Sequence, residues 1–316
     1  MIIPEENDYY KNFQGHDRFD VPEPVYRVTA GPGGEAYLII GSEKTALFDC
    51  GMECFSQGLI SNIHELLDPL GKRPDYCILS HTHYDHIGAL PDLIREWPGI
   101  KVCGAPKCAQ VFRSETARKT IEELSGNARR IYGSDVSIPF RFEEMRLDHA
   151  FEEGEEISLG GITVRYYEAK GHTDCSCVYM IYPQKILFAN ESVSQISGPD
   201  EVNTSCLKSF SDCIDSAEKM MSLEPETIIA MHYGSIPESY NRQYFLDFIN
   251  EAEWELGLIK RCIKNGLTDE EVCEVHEKIY WNDELALNHP YNANHLNTMI
   301  IIRRVRKGME EGNGKL

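Results

Sequence analysis

Apolar residues in the chain fall into short runs separated by turn residues: VYRVTA (25–30), EAYLIIG (35–41), KTALFDC (44–50) and DYCILS (75–80) in the first half. ITVRYYEAK (162–170), CVYMIYP (177–183), KILFAN (185–190) and TIIAMH (227–232) follow later. Runs of this length, rich in Val, Ile, Tyr and Phe and bounded by turn residues, predict β-strands. They are mostly apolar instead of alternating, so the strands are expected to be covered on both faces. Helical patterns lie between them at about 55–70, 87–96 and 106–124, followed by a polar, Gly-containing stretch near 125–138. Beyond the last strand the chain reads helical, with Phe245, Phe248, Ile249, Ala252, Leu256, Ile259 and Ile263 at three- and four-residue spacing. Two blocks of strands with helices beside each predict a layered α/β sandwich. We divide the chain into a domain over 1–236 and a helical C-terminal extension over 237–316.

Charge narrows the function. The chain has 316 residues, room for one large or two ordinary domains, and its 31 Lys+Arg against 51 Asp+Glu give a net charge of −20. Such a chain repels phosphate backbones, so no nucleic-acid partner is expected. The longest apolar runs, YLII (37–40) and MIII (299–302), are far below the ~18 residues of a membrane span. The start MIIPEENDYY lacks the basic flank and apolar stretch of a secretory signal. The expectation is a cytoplasmic protein without a membrane partner. Eleven cysteines with no CxxC pair read as reduced, mostly buried, small apolar residues; Cys175 and Cys177, beside the GHT segment, are the first candidates for a functional role, though on a strand their spacing also simply puts both on one face. GPGG (31–34) lacks the Lys-Ser/Thr of a phosphate loop and reads as a turn, and Arg303, Arg304, Arg306 and Lys307 read as a solvated helix face.

The distinctive chemistry begins where DYCILS ends, in His81-Thr82-His83-Tyr84-Asp85-His86. On extended backbone His81 and His83 point the same way and can reach one metal, while Asp85 and His86, leading into the next helix, can reach a second. Burying four such groups without partners would cost several kcal/mol, so packing does not explain them. Other strand exits supply further donors: His172 in Gly171-His172-Thr173, Glu191 in Asn190-Glu191, and His232.

In the HxHxDH motif, the GHT segment, the acidic residue after LFA and the late strand-His, in this order, residues 25–235 resemble the metallo-β-lactamase-fold hydrolases. The resemblance implies an αββα four-layer sandwich and two divalent transition metals. His81, His83 and His172 would hold one metal, and Asp85, His86 and His232 the other. An acidic residue, here Glu191 where that family usually has Asp, would bridge them. It also implies a supporting role for Asp49 in LFDCG and catalytic roles for Asp85 and Glu191. Zinc is the default for such donors, and iron or manganese suits them as well. HTHYDHIGALPDLIREWPGIKVCGAP, RSETAR and EAKGHTD are similar to the quinolone-signal response thioesterase branch, which acts on an aminobenzoylacetyl-CoA.

The activity implied is hydrolysis of a small-molecule thioester, since two metals lower the pKa of a shared water to near neutrality. Lactone opening is the alternative reaction. A regulatory binding protein that retains the metal site is the alternative from another class. Oxygen or nitric-oxide reduction by a flavodiiron protein is disfavoured because His83 stands where that branch has a carboxylate. The apolar stripe over 237–265 and the segment NHPYNANHLNTMIII (288–302) are expected to form a lid over the site, with Tyr291 or His295 touching the substrate pocket.

Overall fold

Side-chain alternation along the strands sorts the apolar residues into layers. The structure, a computed structural model, describes residues 16–133, 140–198, 201–288 and 290–312. The opening MIIPEENDYY and residues 134–138 of the polar stretch lie outside the described residues. One sheet runs in the order β1 (Val25–Arg27), β2 (Tyr37–Ile40), β3 (Thr45–Phe48), β4 (Tyr76–Ile78), β5 (Lys101–Gly104) and β6 (His149–Ala150). The second sheet is built from β7 (Glu156–Ser158), β8 (Thr163–Glu168), β9 (Cys177–Tyr182) and β10 (Ile186–Phe188), in the order β7-β8-β9-β10. A short hairpin, β11 (Gln195–Gly198) with β12 (Glu201–Asn203), stands apart, and β13 (Thr227–Ala230) and β14 (Gly234–Ser235) continue the second sheet beyond β10.

Ala46 and Phe48 of β3 face the second sheet and meet Tyr179, Ile181 and Phe188, whereas Leu47 between them faces outward. On β9 the same alternation sends Val178 and Met180 to the opposite outer face. Three apolar layers therefore separate four layers of secondary structure, which is the αββα sandwich. Phe48 stacks on Phe188 at 4.4 Å between ring centroids, in the middle layer.

Helices α1 (Ser56–Leu67), α2 (Tyr84–Ile87), α3 (Leu90–Glu96), α4 (Cys108–Val111) and α5 (Glu115–Ile131) lie on the first sheet's side. Helix α5 runs past the expected end at 124 because Ile121, Ser125 and Ala128 keep one buried face at four- and three-residue steps. On the second sheet's side lie α6 (Phe210–Ser222), α7 (Asn241–Lys264), α8 (Asp269–Tyr280) and, after α9 (Asp283–Asn288), which packs against β11, α10 (Tyr291–Glu310). The stripe Phe245, Phe248, Ala252 and Ile259 of α7 is buried in that outer core, so it completes the fold. Among the described residues no helix is long and apolar enough to cross a membrane. All eleven cysteines are thiols, nine of them buried.

Candidate metal centre

Parallel pairing brings the polar strand exits to one edge. Strands β3 and β4 are parallel, with Phe48 opposite Ile78, so Asp49 and Ser80 emerge side by side. In the other sheet β10 and β13 are parallel, with Phe188 opposite Ile229, and Glu191 and His232 leave at the same end. Strand β8, antiparallel to β9 as β10 is, delivers His172 to that end too. The two edges are tied where the Cys177 N–H donates to the Ser80 carbonyl at 2.9 Å.

The side chains gather into three overlapping groups: His81, His83 and His172; His81, His86 and Glu191; and Asp85, His86 and His232. Within each, one donor atom per residue lies within 4.8 Å of the others. Glu191 joins one histidine from each of the outer groups. Its Oε1 is 2.8 Å from His86 Nε2 and 2.9 Å from His232 Nε2, and its Oε2 is 3.7 Å from His81 Nδ1. Asp85 Oδ2 stands 3.6 Å from His86 Nε2 and 3.8 Å from His232 Nε2.

Hydrogen bonds around this cluster fix which ring nitrogens face inward. The Ser80 hydroxyl gives its single proton to Asp49 Oδ2 at 2.6 Å, so His81 Nδ1–H must be the donor in its 3.0 Å contact with Ser80 Oγ. The Nε2 lone pair of His81 is then left buried with no hydrogen-bond partner. His86 likewise donates from Nδ1 to Asp49 Oδ2 at 2.9 Å, and its Nε2 too has no hydrogen-bond partner. His172 donates from Nδ1 to the Ser205 carbonyl at 2.6 Å, which turns its Nε2 toward His83 Nδ1, 3.0 Å away. Inward-facing lone pairs and the carboxylates of Asp85 and Glu191, the latter with its Oε2 unpartnered, form an electron-rich pocket that cations would satisfy. The donor set fits divalent metal ions.

Electrostatics agree for His81, His83 and His172. Burial, reinforced by neighbouring imidazoles, holds His81 and His83 well below the usual histidine range, and burial also lowers His172. Burial acts against the charge of Glu191, yet His81 and His86 outweigh it and keep the carboxyl well below its ordinary value. At His86 burial is again opposed, here by the carboxylates of Glu191, Asp85 and Asp49, and the net direction is upward. Asp49 is raised by its complete burial, with the bonds from His86 and Ser80 working the other way.

Backbone strain concentrates here. Asp49 and His232 are non-glycine residues at φ 49° and 62°, a region that costs about 1–3 kcal/mol per residue. Gly171 lies at φ 126°, and a Cβ there would sit 2.5 Å from the Cys213 amide nitrogen, so only glycine lets α6 press against the loop that carries His172. The GPGG turn also abuts the site, for a Cβ on Gly34 would meet the Asp85 carbonyl at 2.1 Å.

Next to the cluster lies a cavity of ≈ 140 Å³. His83, Asp85, His172 and Glu191 form its floor, and Ile121, Leu124, Leu207, Leu296 and Ile300 are its apolar walls. Tyr291 and His295, expected at this pocket, are not among its lining residues. The face of α10 that meets the cavity is Ala293, Leu296, Asn297 and Ile300. That phase of the helix turns Tyr291 and His295 toward α8, where both bond Glu277. Cys175 and Cys177 pack behind the strand ends, touching Thr82 Oγ1 and the Leu79 carbonyl. Ser80 and Ser205 support the ligand rings and were not foreseen. Ser80 had a local signal, its place just before His81, whereas a carbonyl contact from Ser205 has none.

The profile of the Metallo-beta-lactamase superfamily matches residues 30–232. The chain is similar to rubredoxin-oxygen oxidoreductase of Megalodesulfovibrio gigas, 26% identical over 258 residues that cover 80% of this chain and 51% of that protein. It thus spans about half of that relative's length. It is also similar to a UPF0173 metal-dependent hydrolase of Aeropyrum pernix, 25% identical over 173 residues, 52% of this chain and 68% of that one. Among solved structures, the metallo-beta-lactamase family protein TTHA1429 of Thermus thermophilus shares the fold at a TM-score of 0.61, with 16% identity, 93% of this chain and 95% of that chain covered. The profile takes in every donor of the cluster, from Asp85 and its neighbours to His232, and the chain belongs to the metallo-β-lactamase superfamily.

Proposed function

We propose that the protein is a dinuclear metal-dependent hydrolase of small thioesters, as in the thioesterase branch that its sequence resembles. In this reading His81, His83 and His172 hold one ion, Asp85, His86 and His232 the other, and Glu191 both; zinc is the first choice for these donors, ahead of iron or manganese. Two bound ions would supply Lewis acidity toward a carbonyl and a water of lowered pKa. The chain's own residues do the rest. Asp49 and Ser80 hold the rings of His81 and His86, and Ser205 holds His172. The helical extension over 237–316 acts as the lid, with α10 supplying the wall that excludes water from the acyl group.

The observation that favours a thioester is the lining of the cavity. Apart from the clustered His, Asp and Glu, its only titratable side chain among the described residues is Tyr84, whose pKa burial raises. With no spare carboxylic acid or imidazole to protonate a departing alkoxide, a thiolate, with a free-thiol pKa of about 8.5, is the leaving group that needs least help. A space near 140 Å³ suits an aryl ring or short acyl chain, as does its apolar wall. The unbridged thiols suit a reducing, cytoplasmic setting.

The test is a matched panel: one aryl or short acyl group presented as a thioester and as a lactone, with and without a chelator. Cleavage of the thioester that a chelator abolishes and added metal restores is the expected result. Faster opening of the lactone would put lactonase activity in its place. No hydrolysis by the metal-loaded protein would end the hydrolase reading and leave a binding role.

A further inference from the structure

Away from the main centre, a second kind of ligand set converges on the C-terminal helices. Cys273 and Glu277 stand one turn apart on α8, and His295 reaches them from α10. Cys273 Sγ lies 3.6 Å from Glu277 Oε1 and 3.6 Å from His295 Nδ1, and that nitrogen is 2.8 Å from Glu277 Oε1. Tyr291 donates its hydroxyl to the other oxygen, Oε2, at 3.0 Å. Cys273 is buried, Glu277 is mostly covered, and the half-exposed His295 side chain opens the cluster to solvent.

The two sulfur spacings are those of a tetrahedral zinc. Zn–S near 2.3 Å and Zn–N or Zn–O of about 2.0–2.1 Å put sulfur about 3.6 Å from either partner at tetrahedral angles. Nitrogen and oxygen would stand about 3.4 Å apart in the same geometry, so the present 2.8 Å hydrogen bond must open by about 0.6 Å. His295, half-exposed, has the freedom to do so. A hydrogen-bonded clip by itself accounts for Glu277, Tyr291 and His295 but leaves the thiol with only weak contacts. A sulfur, nitrogen and carboxylate set selects zinc over magnesium or calcium.

We propose that Cys273, Glu277 and His295 bind one zinc ion, with water as the fourth ligand, and that this ion fastens α8 to α10. On binding, the Cys273 thiol releases its proton to solvent and sulfur, Nδ1 and one carboxylate oxygen bond to the ion, with no change of oxidation state. Leu296, beside His295, walls the cavity of the main centre, so the ion also steadies that wall.

Cobalt(II) titration of the full chain, stripped of metal, tests this directly. The main cluster offers only nitrogen and oxygen donors, so a near-ultraviolet sulfur-to-cobalt charge-transfer band reports the α8–α10 site alone, whatever happens at the main centre. The band is expected to reach its limit within three equivalents, of which the main centre takes two, to bleach on adding zinc, and to be absent in Cys273→Ser. His295→Ala, a change at a half-exposed side chain, should weaken cobalt binding at least tenfold by the same band. A wild-type titration without the band, or a band that survives in Cys273→Ser, overturns the proposal.

Discussion

Glu191→Gln is expected to abolish hydrolysis and to empty at least one of the two metal positions, while leaving the chain folded. Glu191 is 3% exposed, and its Oε1 sits between His86 Nε2 and His232 Nε2 while its Oε2 has no hydrogen-bond partner. A carboxylate there offsets part of the charge of two divalent ions and keeps them close enough to act on one substrate. Glutamine keeps the volume and removes the charge. Loss of an outer partner of a metal site already lowers affinity or activity by about 10–100-fold, and loss of a bridging ligand is expected to exceed that. Glu191→Asp preserves the charge at one methylene less reach and should retain substantial metal binding. Metal content, kcat/KM and Tm of the two variants check this. Full occupancy with undiminished activity in Glu191→Gln would show that the carboxylate does not bridge.

The second large effect is expected at Asp49. This side chain is completely buried and accepts from the Ser80 amide at 2.7 Å, the Ser80 hydroxyl at 2.6 Å and His86 Nδ1 at 2.9 Å. Asp49→Ala strands three buried donors, and truncating one partner of a buried, hydrogen-bonded charge pair costs about 3–5 kcal/mol. The drop should show as a large fall in the denaturation midpoint. Asp49→Asn separates folding from function. Asparagine tolerates the left-handed backbone at φ 49° and still offers one acceptor oxygen, so the fold should survive. The charge that orients His86 and raises its basicity is gone, and metal affinity should fall by about 10–100-fold. An Asn variant that binds metal as tightly as the parent would show that Asp49 serves only the fold.

What could be read from the sequence was local. Strands such as TALF and CVYMIY announce two covered faces by being apolar at nearly every position, and the structure buries both faces of β3 and β9. The segment from His81 to His86 places four donors within six residues, so its chemistry needs no tertiary information to be suspected. What escaped was set by long-range packing. Helix α6 carries Ser211, Asp212, Asp215 and Ser216 among its apolar residues, and its importance lies in its contact with Gly171. The Ser205 carbonyl that orients His172 comes from 33 positions away. The residue types of Tyr291 and His295 suggest the pocket, but the rotation of α10 is fixed by the burial of Met299, Ile302 and Val305 in the outer core. That rotation points Leu296 and Ile300 at the cavity instead.

If the inward-facing histidines and carboxylates exist to hold two metal ions, the metal content of the isolated protein must show it. Elemental analysis of protein produced in metal-replete medium and freshly purified tests it most directly, with Cys273→Ser as the background so that the peripheral site adds nothing to the count. Two divalent transition-metal ions per chain are expected, with His83→Ala or His172→Ala losing the first ion more readily than the second. Clearly less than one equivalent in the parent background would contradict it.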